Sequence, residues 1–296
     1  MRTTLTATYR SLQANLNRSG VRLQELRLMA ASGRRINRPS DDPAAIAPML
    51  QTQDRLRAAG RYQSTISTTL GRMDNLDSRL EQLENLMVQA KEIAIAAGNG
   101  SASASDRASY AQQIQLLREE VYHLANAQED GKYLFAGYAQ GSKPFPDADD
   151  PLTYAGDDGI IEMEIGPGEK VRTNLTGAEL FQGAGGGVNL LAVLAELEQN
   201  ITAGDASALS SQLDRLDQAA DQVRSQRSLM GTLAQRVERA GDRMADYKDD
   251  MTALLSNYRD ADLIETYSQL AQQEQAFSAA LSVTGKISQL SILDYL

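Results

Sequence analysis

The chain contains no cysteine and no tryptophan, one histidine and four phenylalanines among its 296 residues. Without cysteine there can be no disulfide, no zinc–thiolate or iron–sulfur centre and no cysteine nucleophile. That lack suits a chain that crosses compartments unfolded without oxidising. One histidine, His123 between Tyr122 and Leu124, cannot build a histidine-rich metal site or serve a Ser/His/Asp triad, and reads as a partly exposed helix residue. Few aromatics argue against a compact enzyme core. No stretch approaches the roughly 20 apolar residues of a membrane span. Met1 to Leu16 has neither an apolar core nor a small-residue cleavage site, so no cleaved secretory signal is expected, and by these marks alone the chain reads as cytoplasmic. The net charge of −10 argues against nucleic-acid binding.

Two segments imitate ligand loops. Asp147-Ala148-Asp149-Asp150-Pro151 has acids at calcium-loop spacing, but lacks the glycine at the sixth position and offers Asp158 where a bidentate Glu belongs. It reads as a solvated acidic loop. Gly183-Ala184-Gly185-Gly186-Gly187 lacks the Lys-Ser/Thr ending of a phosphate loop and reads as a flexible return into a helix near Leu190. No cofactor, metal or catalytic residue is assigned.

What the sequence has in abundance is helical periodicity. Leu5, Tyr9, Leu12, Leu16, Leu23 and Leu26 form a heptad-like stripe that Gly33 and the following Arg-rich run break. Asp42 is a candidate N-cap, with Pro43 at the first position of a new helix. Ile66, Leu70, Met73, Leu76, Leu80, Leu83, Met87 and Ala90 mark a helix over about 62–97. Ile114, Leu117, Val121 and Leu124 mark another over about 106–130. The strongest signal runs from Leu209 to Leu254, about 50 residues and on the order of 75 Å of helix. A last stripe, Leu263, Tyr267, Leu270, Glu274, Phe277, Leu281 and Thr284, is extended by Ile287, Leu290 and Leu293.

Only 131–189 differs. Tyr133-Leu134-Phe135 and Ile160–Ile165 read as strands, and Gly166-Pro167-Gly168 as a turn into a return strand over Glu169–Leu175. The expected fold is mainly α: a long antiparallel coiled-coil-like helical rod with a small β-rich insertion. Its parts are an N-terminal helical arm (1–45), the first part of the rod (46–130), the insertion (131–189), the second part of the rod (190–257) and a C-terminal arm (258–296) that pairs with the first. Charge fits that pairing. Residues 1–61 carry 11 Arg and 4 acids, whereas 242–296 carry 9 acids and 4 basic groups. The expected assembly interface is Leu5, Leu12, Leu16, Leu23, Leu26, Leu263, Tyr267, Leu270, Phe277, Leu281, Ile287, Leu290 and Leu293.

The run from Ser32 through Gly33, Arg34, Arg35, Ile36, Asn37, Arg38, Pro39, Ser40, Asp41, Asp42 and Pro43 to Ala45 resembles the N-terminal signature of bacterial flagellins and their hook-associated relatives. Tyr258-Arg259-Asp260-Ala261-Asp262 and the stripe after it resemble the C-terminal end of that family. Two roles within the family stay open, filament subunit and hook–filament adaptor. The tail Leu290-Ser291-Ile292-Leu293-Asp294-Tyr295-Leu296, with Ile292 where Leu is usual, resembles the adaptors. So do Gly131–Gly137 and Leu152–Gly159. The resemblance implies export through the flagellar type III channel without a cleaved signal, secretion to the flagellum, and terminal helices disordered before assembly. It also implies partners: copies of the chain itself, a neighbouring hook-associated protein and flagellin, and a cytosolic export chaperone on the C-terminal helix, with no nucleic acid and no membrane. An unrelated cytosolic coiled-coil scaffold would share the heptads but not the two-ended motif.

Overall fold

The computed structural model describes residues 2–99, 102–146 and 153–293; the side chains of 2–6, 8, 9, 206 and 287–293 lie outside that description. The fold is mainly α. In order come α1 (Arg2–Ser32), α2 (Pro43–Ala97), α3 (Ala104–Ala125), β1 (Gln128–Glu129), β2 (Lys132–Tyr133), β3 (Glu162–Gly166), β4 (Glu169–Arg172), α4 (Gly177–Leu180), α5 (Leu190–Ala203), α6 (Ala206–Arg259) and α7 (Leu263–Leu293). Two compact units form, Met1–Ala58 with Asp246–Leu296, and Ala59–Ala245. α2 and α6 each supply residues to both.

Helix ends follow local chemistry. α1 stops where Gly33 takes φ 67°, the left-handed conformation that closes helices. Asp42 Oδ1 accepts the Ala45 N–H at 3.2 Å and Pro43 opens α2, as the sequence predicts. α2 then runs unbroken to Ala97, longer than the helix expected from about residue 62. Pro48 lies in its second turn, past the four N–H groups that a helix start leaves unpaired, so it removes one intrahelical bond, and Thr52 Oγ1 donates to the Pro48 carbonyl at 2.8 Å. Ser103 and Asp106 form a capping box at the start of α3.

The central unit, Ala59–Ala245, has one core. Leu80, Leu83, Met87 and Ala90 of α2 join Ile114 and Val121 of α3, Leu190, Leu194 and Leu197 of α5, and Leu216, Val223 and Val237 of α6. α3 packs against α5. Arg227 of α6 reaches Asp77 at 2.8 Å, Glu81 at 3.2 Å and Glu84 at 3.3 Å on α2, so one guanidinium fork ties the two long helices.

Within 131–189 the structure carries less strand than the sequence suggests. α3 ends at Ala125 rather than near 130, because Asp130 (φ 49°) and Gly131 (φ 75°) make a two-residue hairpin turn with Glu129 paired to Lys132. Strand β2 stops at Tyr133, and Phe135 turns into the core. β3 and β4 pair antiparallel around Pro167-Gly168. Their pairing ends at Arg172, short of Leu175. Tyr62 donates to Glu164 at 3.1 Å, and Glu169 accepts from Arg236 at 3.2 Å and Arg243 at 2.9 Å, so the hairpin is fastened to both long helices. Phe135, Phe145 and Phe181 stack edge-on, 5.2–5.4 Å between centroids, and belong to the same core as the helices. The segment is part of the central core. The calcium-like run 147–151 and Leu152 lie outside the described residues.

Candidate assembly interface

The terminal unit brings the two chain ends together. α1 and α7 pack antiparallel, with Arg27 paired to Glu274 at 2.8 Å, Gln273 Nε2 donating to Ser19 Oγ at 2.8 Å, and the Phe277 ring beside Gly20. Among the described residues Arg27–Glu274 is the ion pair that crosses the helices. Arg18 bonds Asn15 and Arg22 bonds Glu25, both within α1. The opposite charges of the ends thus reduce to one well-exposed pair worth about 0–1 kcal/mol, and the apolar seam must hold the helices.

The expected interface residues divide into two groups. Leu23 and Leu26 are buried, and Leu12, Leu16, Leu270 and Phe277 are half-buried. Leu263, Tyr267 and Leu281 are exposed, Leu281 at 49%. The side chains of Leu5, Ile287, Leu290 and Leu293 lie outside the described residues. Val21 and Leu28 of α1 and Ile264 and Val283 of α7, none of them in the expected stripes, are exposed as well, Ile264 at 86%. Val21 and Leu28 are seven apart on one face of α1, and Ile264, Tyr267, Ala271 and Ser278 follow one face of α7. The signal was an apolar residue beside the main stripe at each of these positions. Each helix therefore has an inner stripe against its partner and an outer one facing solvent, with Tyr267 at the border, its hydroxyl 3.5 Å from Ala30 O.

The two motifs at opposite ends of the sequence meet. Gly33 O accepts the Ala261 N–H at 3.0 Å, and Arg34 pairs antiparallel with Asp260. The N–H groups of Arg35 and Ile36 both reach Arg259 O, at 2.8 and 3.3 Å. Arg35 also donates from its side chain to Tyr258 O at 2.8 Å and to Asp42 at 3.0 Å. It thereby satisfies carbonyls that the C-terminus of α6 leaves open and holds the N-cap of α2. Ile36 is buried. Asn37 donates to Arg34 O at 2.8 Å, while Asp41 accepts the backbone N–H of Asn37 and Arg38 at 2.9 and 2.7 Å. Ser40 is exposed. The motif's polar residues are thus spent on backbone geometry.

These bonds set the local acidity. Backbone donation from Arg38 and then Asn37 holds the Asp41 carboxyl below the usual carboxylate range. The Arg35 guanidinium does the same for Asp42, and the Arg259 side chain for Asp260. His123 is exposed on the last turn of α3, edge-on to Tyr122 at 6.1 Å. Among the described residues no three His, Asp or Glu side chains gather as a metal-binding group.

Two family models match. Residues 4–140 fit the bacterial flagellin N-terminal helical region, and 213–296 fit the bacterial flagellin C-terminal helical region. The flagellar hook-associated protein 3 of Escherichia coli K12 is 25% identical over 284 residues, spanning 88% of this chain and 89% of that protein. Its Salmonella typhimurium counterpart is 29% identical over 187 residues, 61% of this chain and 57% of that one. The crystal structure of flagellar hook-associated protein 3 from Legionella pneumophila superposes with a TM-score of 0.64 at 15% identity, covering 70% of this chain and 98% of that one, a likeness of fold.

Proposed function

The chain belongs to the bacterial flagellin family, whose members are structural proteins and not enzymes, and on that premise we propose that it is the adaptor through which the flagellar hook is joined to the filament. The observation that carries this reading is the near end-to-end likeness to the Escherichia coli hook-associated protein 3. The tail Leu290–Leu296 supports it, being similar to the adaptors rather than to filament subunits.

The terminal helices do the joining. Their inner stripes, Leu12, Leu16, Leu23 and Leu26 against Leu270 and Phe277, pair α1 with α7. Their outer stripes, Val21 and Leu28 with Ile264, Tyr267 and Leu281, take neighbouring subunits: copies of this chain, a hook-associated protein on one side and flagellin on the other. A single helix pair buries too little apolar surface to be more than marginal alone. Each neighbour removes more from water at about 25 cal/mol per Å². Contacts of this head-to-tail kind build tubes rather than closed dimers. The chain leaves the cell unfolded by the flagellar type III route, with a cytosolic chaperone covering the outer stripe of α7 until then. Lacking cysteine, it cannot be trapped by oxidation on the way.

The test is addition of purified chain to isolated hooks. Hooks so capped should then support filament growth from added flagellin. Long filaments of this chain alone would make the filament subunit the correct reading.

A further inference from the structure

We infer that the register of the α1/α7 pair is set by the junction of the two motifs, with Arg35 as its positioning residue, and not by the apolar seam that holds the pair together. The inference deepens the assembly role proposed above, because outer stripes can meet neighbours in order only if the two helices are in register.

The seam alone fixes register weakly. Leu16 and Leu23 on α1, like Leu270 and Phe277 on α7, are seven apart, so a slip of two turns again sets much of one apolar stripe against the other, and the Phe277 ring beside Gly20 is the one apolar contact described there that tells the registers apart. The polar contacts across it are few and exposed. Arg27–Glu274 has both partners about half exposed, and Gln273 reaches Ser19 by one amide.

The junction, by contrast, pins one end of each helix to the same three residues. Gly33, the left-handed residue that closes α1, accepts from Ala261. Asp262, next in sequence, caps α7 by accepting the N–H groups of Ile264 and Glu265 at 2.9 and 3.1 Å. One hydrogen bond therefore separates the cap of α1 from the cap of α7. The Arg35 backbone N–H bonds Arg259 O, and its guanidinium, the part that an alanine would remove, fastens this arrangement to Tyr258 O and Asp42. No other side chain described at the junction bonds both the end of α6 and the start of α2. A guanidinium fork can hold two acceptors at once and a lysine ammonium cannot hold them in the same plane, which predicts partial function for Arg35→Lys.

The absence of cysteine gives a clean assay. In the full-length chain, R27C is combined in turn with E274C, which is in register, and with A271C and S278C, one turn to either side. The free protein is oxidised and intramolecular disulfides are counted. Oxidation traps even a pair that opens often, so marginal helices are still read. With Arg35 present, the 27–274 disulfide should exceed each shifted one by about tenfold or more, the weight of roughly one strong hydrogen bond. R35A should bring the three yields close to equal while helical content and the central unit stay unchanged, and R35K should fall between. Equal yields with Arg35 present, no disulfide at all in the native chain, or an R35A chain that keeps its preference would each overturn the inference. A loss of seam stability alone would lower all three yields together and leave their ratio, so it also counts against it. Because the ratio is read without hooks, its failure is distinct from failure of the chain to cap them.

Discussion

The edge of the Phe277 ring lies against Gly20: a Cβ placed on that glycine would sit 3.5 Å from the nearest ring carbon, an ordinary van der Waals contact. Gly20 is mid-helix, where glycine costs about 0.5–1 kcal/mol relative to alanine. Gly20→Ala should therefore keep the pair and stabilise α1 by up to that amount. Slower proteolysis of the N-terminal arm in the free chain is the readout. Gly20→Leu should instead displace the ring and release both arms. Faster cleavage of Gly20→Ala would mean that the Phe277 ring cannot accept the methyl.

The acid side of the terminal unit can be worked out from its carboxylates. Asp41, Asp42 and Asp260 all lie below their ordinary value of 3.8 when folded. A group depressed on folding stabilises fully above its unfolded value and loses that contribution as the pH falls through the folded one. Protection of the arms should be flat between pH 7 and about 5 and weaken below about pH 4. Asp42→Asn should take away part of that acid dependence, read by proteolysis or amide exchange across the pH series. A decline centred near neutrality would point to some other group.

Much of this architecture is legible in the sequence, for stated reasons. The stripe from Leu209 to Leu254 has the helical period and nothing to break it, and α6 follows it. Asp42-Pro43 announces the start of α2 by capping chemistry alone. The hairpin at Asp130-Gly131 carried a readable turn signal that the preceding helical pattern masked. α5 buries Leu190, Leu191, Val193, Leu194, Leu197 and Ile201 along one face at i, i+3, i+4 and i+7 spacing, a helical period the sequence does carry, and Gly204, left-handed at φ 68°, is the break that separates it from α6. The meeting of Gly33–Ile36 with Tyr258–Ala261 has no local signal, since more than 220 positions separate Arg35 from Tyr258. Nor can a lone sequence divide inner from outer apolar residues in α7, because Phe277 and Leu281 sit one turn apart and are equally apolar.

The segment 131–189 should prove essential to the central unit. Phe181 is fully buried against Phe135 and Phe145, so Phe181→Ala should cost about 3–5 kcal/mol. Tyr154 donates to Phe135 O at 2.8 Å, and Tyr154→Phe, which leaves that carbonyl only its bond from the Gly177 N–H at 2.8 Å, should cost about 0.5–1.5 kcal/mol. Burial, first of all, pushes the Tyr154 hydroxyl up to about 12. Raised on folding from an ordinary value of 10.0, it stabilises below pH 10 and loses that contribution only as the pH climbs toward 12. Denaturant melts of the two variants at neutral pH, with the wild type repeated at alkaline pH, check both statements. A stable central unit after replacing 131–189 by a Gly/Ser linker would refute this placing of its core.

The division into inner and outer stripes makes the sharpest prediction. Leu26 is 2% exposed against α7, whereas Leu281 is 49% exposed in the isolated chain. A charge at Leu26 must be desolvated or must break the seam, so Leu26→Asp should release both arms in the free protein, at a cost of about 2–4 kcal/mol. A charge at Leu281 meets solvent in the free protein and costs there only what an exposed substitution does, within about 0.5 kcal/mol. It becomes expensive only when a neighbour covers it. Leu281→Asp should therefore leave proteolysis and disulfide register of the free chain as in the wild type, yet abolish joining to hooks. Phe277→Asp, half-buried, should show both defects, the first more weakly than Leu26→Asp. By contrast, neutralising Arg18 or Arg22, which bond only within α1, should change joining little and mainly at low salt. If Leu281→Asp joins hooks normally, the outer stripe does not face a neighbour. If it frees the arms of the isolated chain, Leu281 belongs to the inner seam, and the two-stripe account of α7 fails.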